Sequence, residues 1–242
     1  MKKFLTALLT SAMLFGTLLP VTFAADSWVE NPDISGADLK FGMIGDSHVT
    51  SDSSILSWFQ ESLTAQKTIG GGTLDALALT GDVIYQNKSD EVITDRYDSV
   101  MTSLDNAGYG SDEGEVPFVF AMGNHQFPQN GSLSAEKVQE SKDLFVTKTG
   151  QTETWLKEQI DAAISEDSNK PVFVLLHGPI QGTVFNSSTK RYSDEFLAYL
   201  KTKPQVVNLT AHWHVPAQLP QTIWQDGFTV FHTPLTGGGY LE

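Results

Sequence analysis

Five short apolar runs constrain what this chain can fold into: Leu39–Ile44, Leu74–Leu79, Val116–Met122, Val172–Leu176 and Val206–Leu209. Each is nearly continuous rather than alternating, the pattern of strands buried on both faces. Helical stripes separate them. Ile55, Leu56, Phe59 and Leu63 share one face of a segment that starts near Ser51 or Asp52. Val92, Ile93, Tyr97, Val100, Met101 and Leu104 form the clearest stripe, and Trp155, Leu156, Ile160, Ala163 and Ile164 a third. Phe196, Leu197 and Leu200 follow Ser193, a residue suited to cap a helix. A weaker pair of strands is expected at Ile223–Trp224 and Phe228–Phe231. Strand alternating with helix means an α/β domain with much parallel sheet. Ligands of such folds gather at the carboxyl ends of the strands.

Each of the five strands delivers a metal-type ligand just past its carboxyl end. The first is followed by Gly45-Asp46-Ser47-His48, the second by Gly81-Asp82 and the third by Gly123-Asn124-His125. His177-Gly178 follows the fourth, and Ala211-His212-Trp213-His214 the fifth. Of the 6 histidines in the chain, all but His232 sit at these positions, a distribution that surface histidines would not show. Taken singly, each fragment has a plain structural reading. A Gly-Asp after a strand is usually a turn or a cap, and a lone His on an apolar strand is usually a satisfied core residue. Together, two Asp, one Asn and up to five His with no thiolate suit Zn, Mn or Fe better than Ca or Mg. Two ions about 3.5–4 Å apart need one shared anionic bridge and separate donors on each side. Asp46 and His48 can meet one ion across a tight turn, and His212 and His214 point to one side of an extended segment.

That ordered set resembles the calcineurin-like metallophosphoesterase superfamily, with its Asp-x-His, Gly-Asp, Gly-Asn-His-Asp/Glu, lone His and Gly-His-x-His. The resemblance runs from about Phe41 to His214. It implies an α/β fold of two mixed β-sheets packed as a sandwich and flanked by helices, a four-layer αββα arrangement. It also implies a dinuclear centre of two divalent or trivalent transition-metal ions (Mn, Zn or Fe). One ion would be held by Asp46, His48, Asp82 and His214, the other by Asp82, Asn124, His177 and His212, with Asp82 as the bridge. Asn124 and His125 would meet the substrate, and His125 would assist the leaving oxygen rather than bind metal. A bridging water, acidified by both ions, would attack phosphorus as hydroxide and hydrolyse a phosphomonoester or phosphodiester.

Two departures stand out. Gln126 replaces the family's usual acid, so His125 lacks a charged neighbour to orient it. Ala211 replaces the usual Gly before His-x-His. The spacing Gly81-Asp82-x-x-Tyr85 resembles the purple acid phosphatase branch, where that Tyr binds ferric iron. That branch lacks the histidine at the position of His48, so Tyr85 is read as a packing residue.

The ends carry separate expectations. Lys2 and Lys3, the apolar run from Phe4 to about Leu19, and Ala24 read as a cleavable signal peptide over residues 1–24, then a leader over 25–37. The metallophosphoesterase domain would fill 38–242, and the ending Gly237-Gly238-Gly239-Tyr240-Leu241-Glu242 reads as a C-terminal truncation. The expected location is secreted or cell-envelope, with no membrane span in the mature chain. No Cys is present, so export brings no disulfide. Without the signal peptide, net charge moves from −14 to −16, which disfavours nucleic acid and anionic membranes as partners and leaves a small phosphorylated substrate. Lys190-Arg191 reads as a solvated pair, Trp213 and Phe127 as packing, and His232 as a residue without a role. Two other classes fit less well: a metal-dependent amidase or deacetylase, and a surface or binding module of the same fold with impaired turnover. The first lacks the Gly-Asp and Gly-Asn-His order, and Gln126 alone supports the second.

Overall fold

The computed structural model describes residues 36–50, 52–85, 90–126, 135–149, 156–215 and 219–233, all within the unit Ile34–Glu242. The expected signal peptide, most of the leader, Trp155, Phe127 and the C-terminal Gly run lie outside these residues.

Strands β1 (Phe41–Ile44), β2 (Ala76–Leu79) and β3 (Phe118–Phe120) form a parallel sheet in the order β1-β2-β3. The second sheet runs β4-β5-β7-β6, from β4 (Val172–Leu175), β5 (Val206–Thr210), β6 (Ile223–Gln225) and β7 (Thr229–His232). There β4, β5 and β7 are parallel, and the antiparallel β6 pairs with β7. The third strand is shorter than the run Val116–Met122 suggested. Pro117 has no N–H to give a ladder, and Val116 instead makes an isolated bridge with Tyr109.

Each sheet carries its own helices and its own apolar cluster. Helix α1 (Ser53–Ile69) is capped by Asp52, whose carboxylate accepts from the Ser54 N–H at 2.8 Å, and it buries Phe59 and Leu63. Helix α2 (Asp90–Asn106) buries Tyr97, Val100 and Leu104 beside them, under β1–β3. Helix α3 (Ala135–Thr149) carries too few apolar residues to announce itself, and it sets Leu144 and Val146 against the same cluster. On the second sheet, α4 (Leu156–Glu166) buries Ile160 and α5 (Asp194–Lys201) buries Leu200. Ser193 caps α5 as its sequence suggested, accepting from the Phe196 N–H at 3.0 Å. The sheets meet where Phe41 of β1 packs on Phe173 of β4, ring centroids 4.8 Å apart, and where the Thr80 and Thr233 hydroxyls bond at 3.0 Å.

Candidate metal centre

The carboxyl ends of β1 to β5 converge, three from the first sheet and two from the second. Past β1 and β2 the loops stay in register: the Asp46 N–H donates to the Gly81 carbonyl and the His48 N–H to the Asp82 carbonyl, both at 3.0 Å. Past β4 and β5, the Ala211 N–H and the Thr210 hydroxyl both donate to the His177 carbonyl, at 2.9 and 2.8 Å. These bonds hold Asp46 beside Asp82 and His177 beside His212.

The backbone there is unusual. Asp46, His48, Asp82, His212 and His214 all adopt left-handed φ, between 49° and 87°. Such conformations cost a non-glycine residue about 1–3 kcal/mol each and cluster at functional sites. Among the described residues, Asn186 alone shares the trait without being a candidate ligand. Sequence reading gave no sign of this.

Three groupings able to hold an ion result: Asp46 with His48 and His214, Asp82 with His177 and His212, and a third, His48 with Asp82 and His125, that shares a residue with each of the others. Asp46 Oδ1 lies 3.4 Å from His214 Nε2, and Asp46 Oδ2 accepts from the His212 N–H at 3.0 Å. Asp82 Oδ2 lies 2.9 Å from His177 Nε2 and 3.8 Å from His48 Nε2, so one oxygen faces the first two groupings. Asn124 Oδ1 comes within 3.2 Å of His177 Nε2. His177 Nδ1 donates to the Thr80 carbonyl at 3.0 Å. A carbonyl only accepts, so Nδ1 holds a proton; Nε2 faces the acceptor oxygens of Asp82 and Asn124, to which it donates when protonated and between which its lone pair would serve an ion. The structure therefore brings together all seven residues expected to bind metal.

The donors suit a bound cation. Among the described residues, Asp46 Oδ1 and His48 Nε2 are buried without a hydrogen-bond partner; Asp46 is fully buried and Asp82 is 1% exposed. Two such carboxylates are costly to bury without positive charge beside them. Burial alone would raise both Asp pKa values. Contacts with His214 and His177 outweigh it at Asp46, and with His177 and His48 at Asp82, holding both below the ordinary carboxylate range. Burial also pushes His212 down to about 4, helped by the charges of His177 and Arg191. His177 moves the other way, because the Asp82 and Asp46 carboxylates overcome its burial.

His125 belongs to the third grouping, beside His48 and Asp82. Its N–H donates to Asp82 Oδ1 at 2.7 Å, while its ring Nε2 is 3.9 Å from Asp82 Oδ2. Gln126 follows it in the same 3-10 turn, and among the described residues the buried His125 Nδ1 has no hydrogen-bond partner. Rings orient it instead. Tyr85 stacks on it at 4.6 Å and 28°, and His48 meets it edge-on at 4.7 Å. Arg96 holds that tyrosine in place by donating to the Tyr85 carbonyl. Burial leads in lowering the His125 pKa.

Two residues do more than expected. Lys190 and Arg191 are both exposed, as a solvated pair should be; Lys190 pairs with a surface acid, Asp194 at 2.6 Å, while Arg191 also reaches the His212 ring, with 2.6 Å between Nη2 and Nε2. His232 is fully buried and its Nε2 accepts from the Trp213 N–H at 3.3 Å, which supports the His-x-His turn. The signal for His232 was its place at the end of a strand, since β7 sets it level with Thr210 of β5.

This arrangement has known counterparts. The family model for calcineurin-like phosphoesterases matches residues 39–216, and the chain belongs to that family of metal-dependent phosphoester hydrolases. Among solved structures, a dimetal phosphatase from Danio rerio aligns with TM-score 0.54 at 12% identity, covering 82% of this chain and 88% of its own. At that identity the likeness is one of fold. A conserved uncharacterized protein from Streptococcus pneumoniae, described as a predicted phosphoesterase, aligns at 13% identity with TM-score 0.34, covering 84% of this chain and 77% of its own. No curated protein matches the chain in sequence.

Proposed function

We propose that the chain is an exported phosphoesterase with a dinuclear centre, in which Asp46, His48, Asp82 and His214 hold one ion and Asp82, Asn124, His177 and His212 the other. The observation that carries this reading is the Asp82 carboxylate, whose Oδ2 lies within 3.8 Å of His48 on one side and 2.9 Å of His177 on the other. When bound, such ions neutralise phosphoryl charge and acidify a water at neutral pH. The protein does the rest. Gly81 and the Thr80 carbonyl fix His177, and the His125 N–H fixes the second Asp82 oxygen, so the bridge cannot rotate. His125, beside but outside the ligand pairs, donates a proton or hydrogen bond to the departing alcohol. Its lowered pKa leaves it mostly unprotonated at neutral pH, so it is a sparse proton donor there, which favours substrates with good leaving groups. Mn, Zn and Fe all suit these donors. Export rests on Lys2, Lys3, the apolar run and Ala24; among the described residues no helix is long and apolar enough to cross a membrane.

The test is Asp82→Ala with metal analysis and an aryl phosphate assay. The expected result is loss of turnover together with loss of both metal equivalents. A variant that keeps two equivalents per chain refutes the bridge. N-terminal sequencing of protein recovered outside the cytoplasm checks for a start near Ala25.

A further inference from the structure

Arg191 has no counterpart in the ligand set, yet it is built into the site's rim. Its side chain crosses directly over Gly178, the residue after His177. A Cβ there would meet Arg191 Cδ at 2.5 Å and Nε at 2.9 Å, so an alanine would push the arm aside. The segment that carries it is tied down on both sides. The Tyr192 hydroxyl donates to the Gly178 carbonyl at 3.0 Å, and Gln181 Nε2 donates to the Tyr192 carbonyl at 3.0 Å. The guanidinium then lies 5.9 Å from the Trp213 ring centroid and reaches His212 Nε2 at 2.6 Å. Among the described residues no carboxylate pairs with it, whereas its neighbour Lys190 is paired with Asp194.

We propose that Arg191 determines specificity by gripping the third terminal oxygen of a phosphomonoester, an inference that rests on the dinuclear phosphoesterase reading above. Geometry supports its availability: a guanidinium carries donors only, and this one stands at the edge of the candidate ligands, 2.6 Å from His212 Nε2. Oxygen counting supplies the selectivity. A phosphomonoester offers three terminal oxygens and a second negative charge. With two oxygens taken at the dinuclear centre, the third remains for a planar fork suited to phosphate. A diester has only two terminal oxygens, and its second alkoxy group would meet the guanidinium instead.

The experiment compares wild type with Arg191→Gln and Gly178→Ala, all loaded with Mn. Metal content, kcat/KM for an aryl phosphate monoester and a bis-aryl diester, and calorimetric binding of inorganic phosphate are measured. Loss of one charge-assisted contact predicts a drop of about 10- to 100-fold for the monoester and for phosphate binding. Diester hydrolysis and metal content should stay near wild type in Arg191→Gln, and Gly178→Ala should shift the monoester-to-diester ratio in the same direction. Equal losses on both esters, or none, overturn the inference. If loaded wild type turns over neither ester, the phosphoesterase reading fails. Phosphate affinity then decides Arg191 alone: weaker binding in Arg191→Gln supports the clamp, and unchanged binding overturns it.

Discussion

Replacing Gly81 by alanine separates two costs that the site imposes on its backbone. Gly81 has φ +98°, and an added Cβ would meet His177 Cβ and Nδ1 at 2.6 Å. Gly72 has φ +88° and nothing within 4 Å of an added Cβ, so it serves as the control for backbone strain alone. Gly72→Ala should cost about 1–2 kcal/mol, the left-handed penalty of an L-residue. Gly81→Ala should cost about 1–3 kcal/mol more, the range for overpacking a tight interior. His177 is 5% exposed, so it has little room to retreat. Retreat would also break its bond to the Thr80 carbonyl, itself worth about 0.5–1.5 kcal/mol. The assay is urea unfolding of chelated protein, with the two variants side by side, followed by metal titration. Gly81→Ala should also lose the ion held through His177, while Gly72→Ala keeps two equivalents. If the two variants agree within about 0.5 kcal/mol, a size typical of surface changes, the claim that Gly81 exists to admit His177 is wrong.

Two further outcomes follow from the same geometry. His125→Ala should retain two metal equivalents and lose turnover by about 10²–10⁴-fold, most severely on alkyl phosphates, as steady-state kinetics over a leaving-group series would show; lost metal would instead make His125 a ligand. The chelated protein should gain stability from about pH 3 to about pH 6.5 and lose part of it above, read as the urea midpoint. The signs come from the site. Asp46 and Asp82 have lowered folded pKa values, so their contribution is present above the ordinary 3.8 and is lost as pH falls. His125, His212 and His232 are also lowered, so their folded forms resist protonation and add stability as pH rises toward 6.5. His177 is raised, so its share is full below 6.5 and disappears as pH climbs through its folded value. A midpoint that falls between about pH 4 and about pH 6.5 would contradict the burial of those three histidines.

The cluster of candidate ligands was legible because each member sits within a few residues of a strand end, where a short apolar run and a turn fix its place. The α5 cap at Ser193 was legible for the same local reason. What escaped depends on contacts between distant segments. Nothing near Val206 says that β7 pairs with β5 while β6 takes the edge. Arg191 reaches His212 across 21 positions, and His232 supports Trp213 across 19, so neither shows as a motif. Helix α3 escaped because Val138, Leu144, Phe145 and Val146 make a poor stripe. The left-handed φ values escaped because Asp and His do not advertise them as glycine would.

The two sheets keep separate apolar clusters, one around Phe59 and Tyr97, the other around Ile160 and Phe228. The proposed ligands are divided the same way, with Asp46, His48, Asp82 and Asn124 on one half and His177, His212 and His214 on the other. Each ion would therefore draw ligands from both halves and act as a rivet across the seam. Metal loading would then set how cooperatively the halves unfold as well as how fast an ester is cleaved.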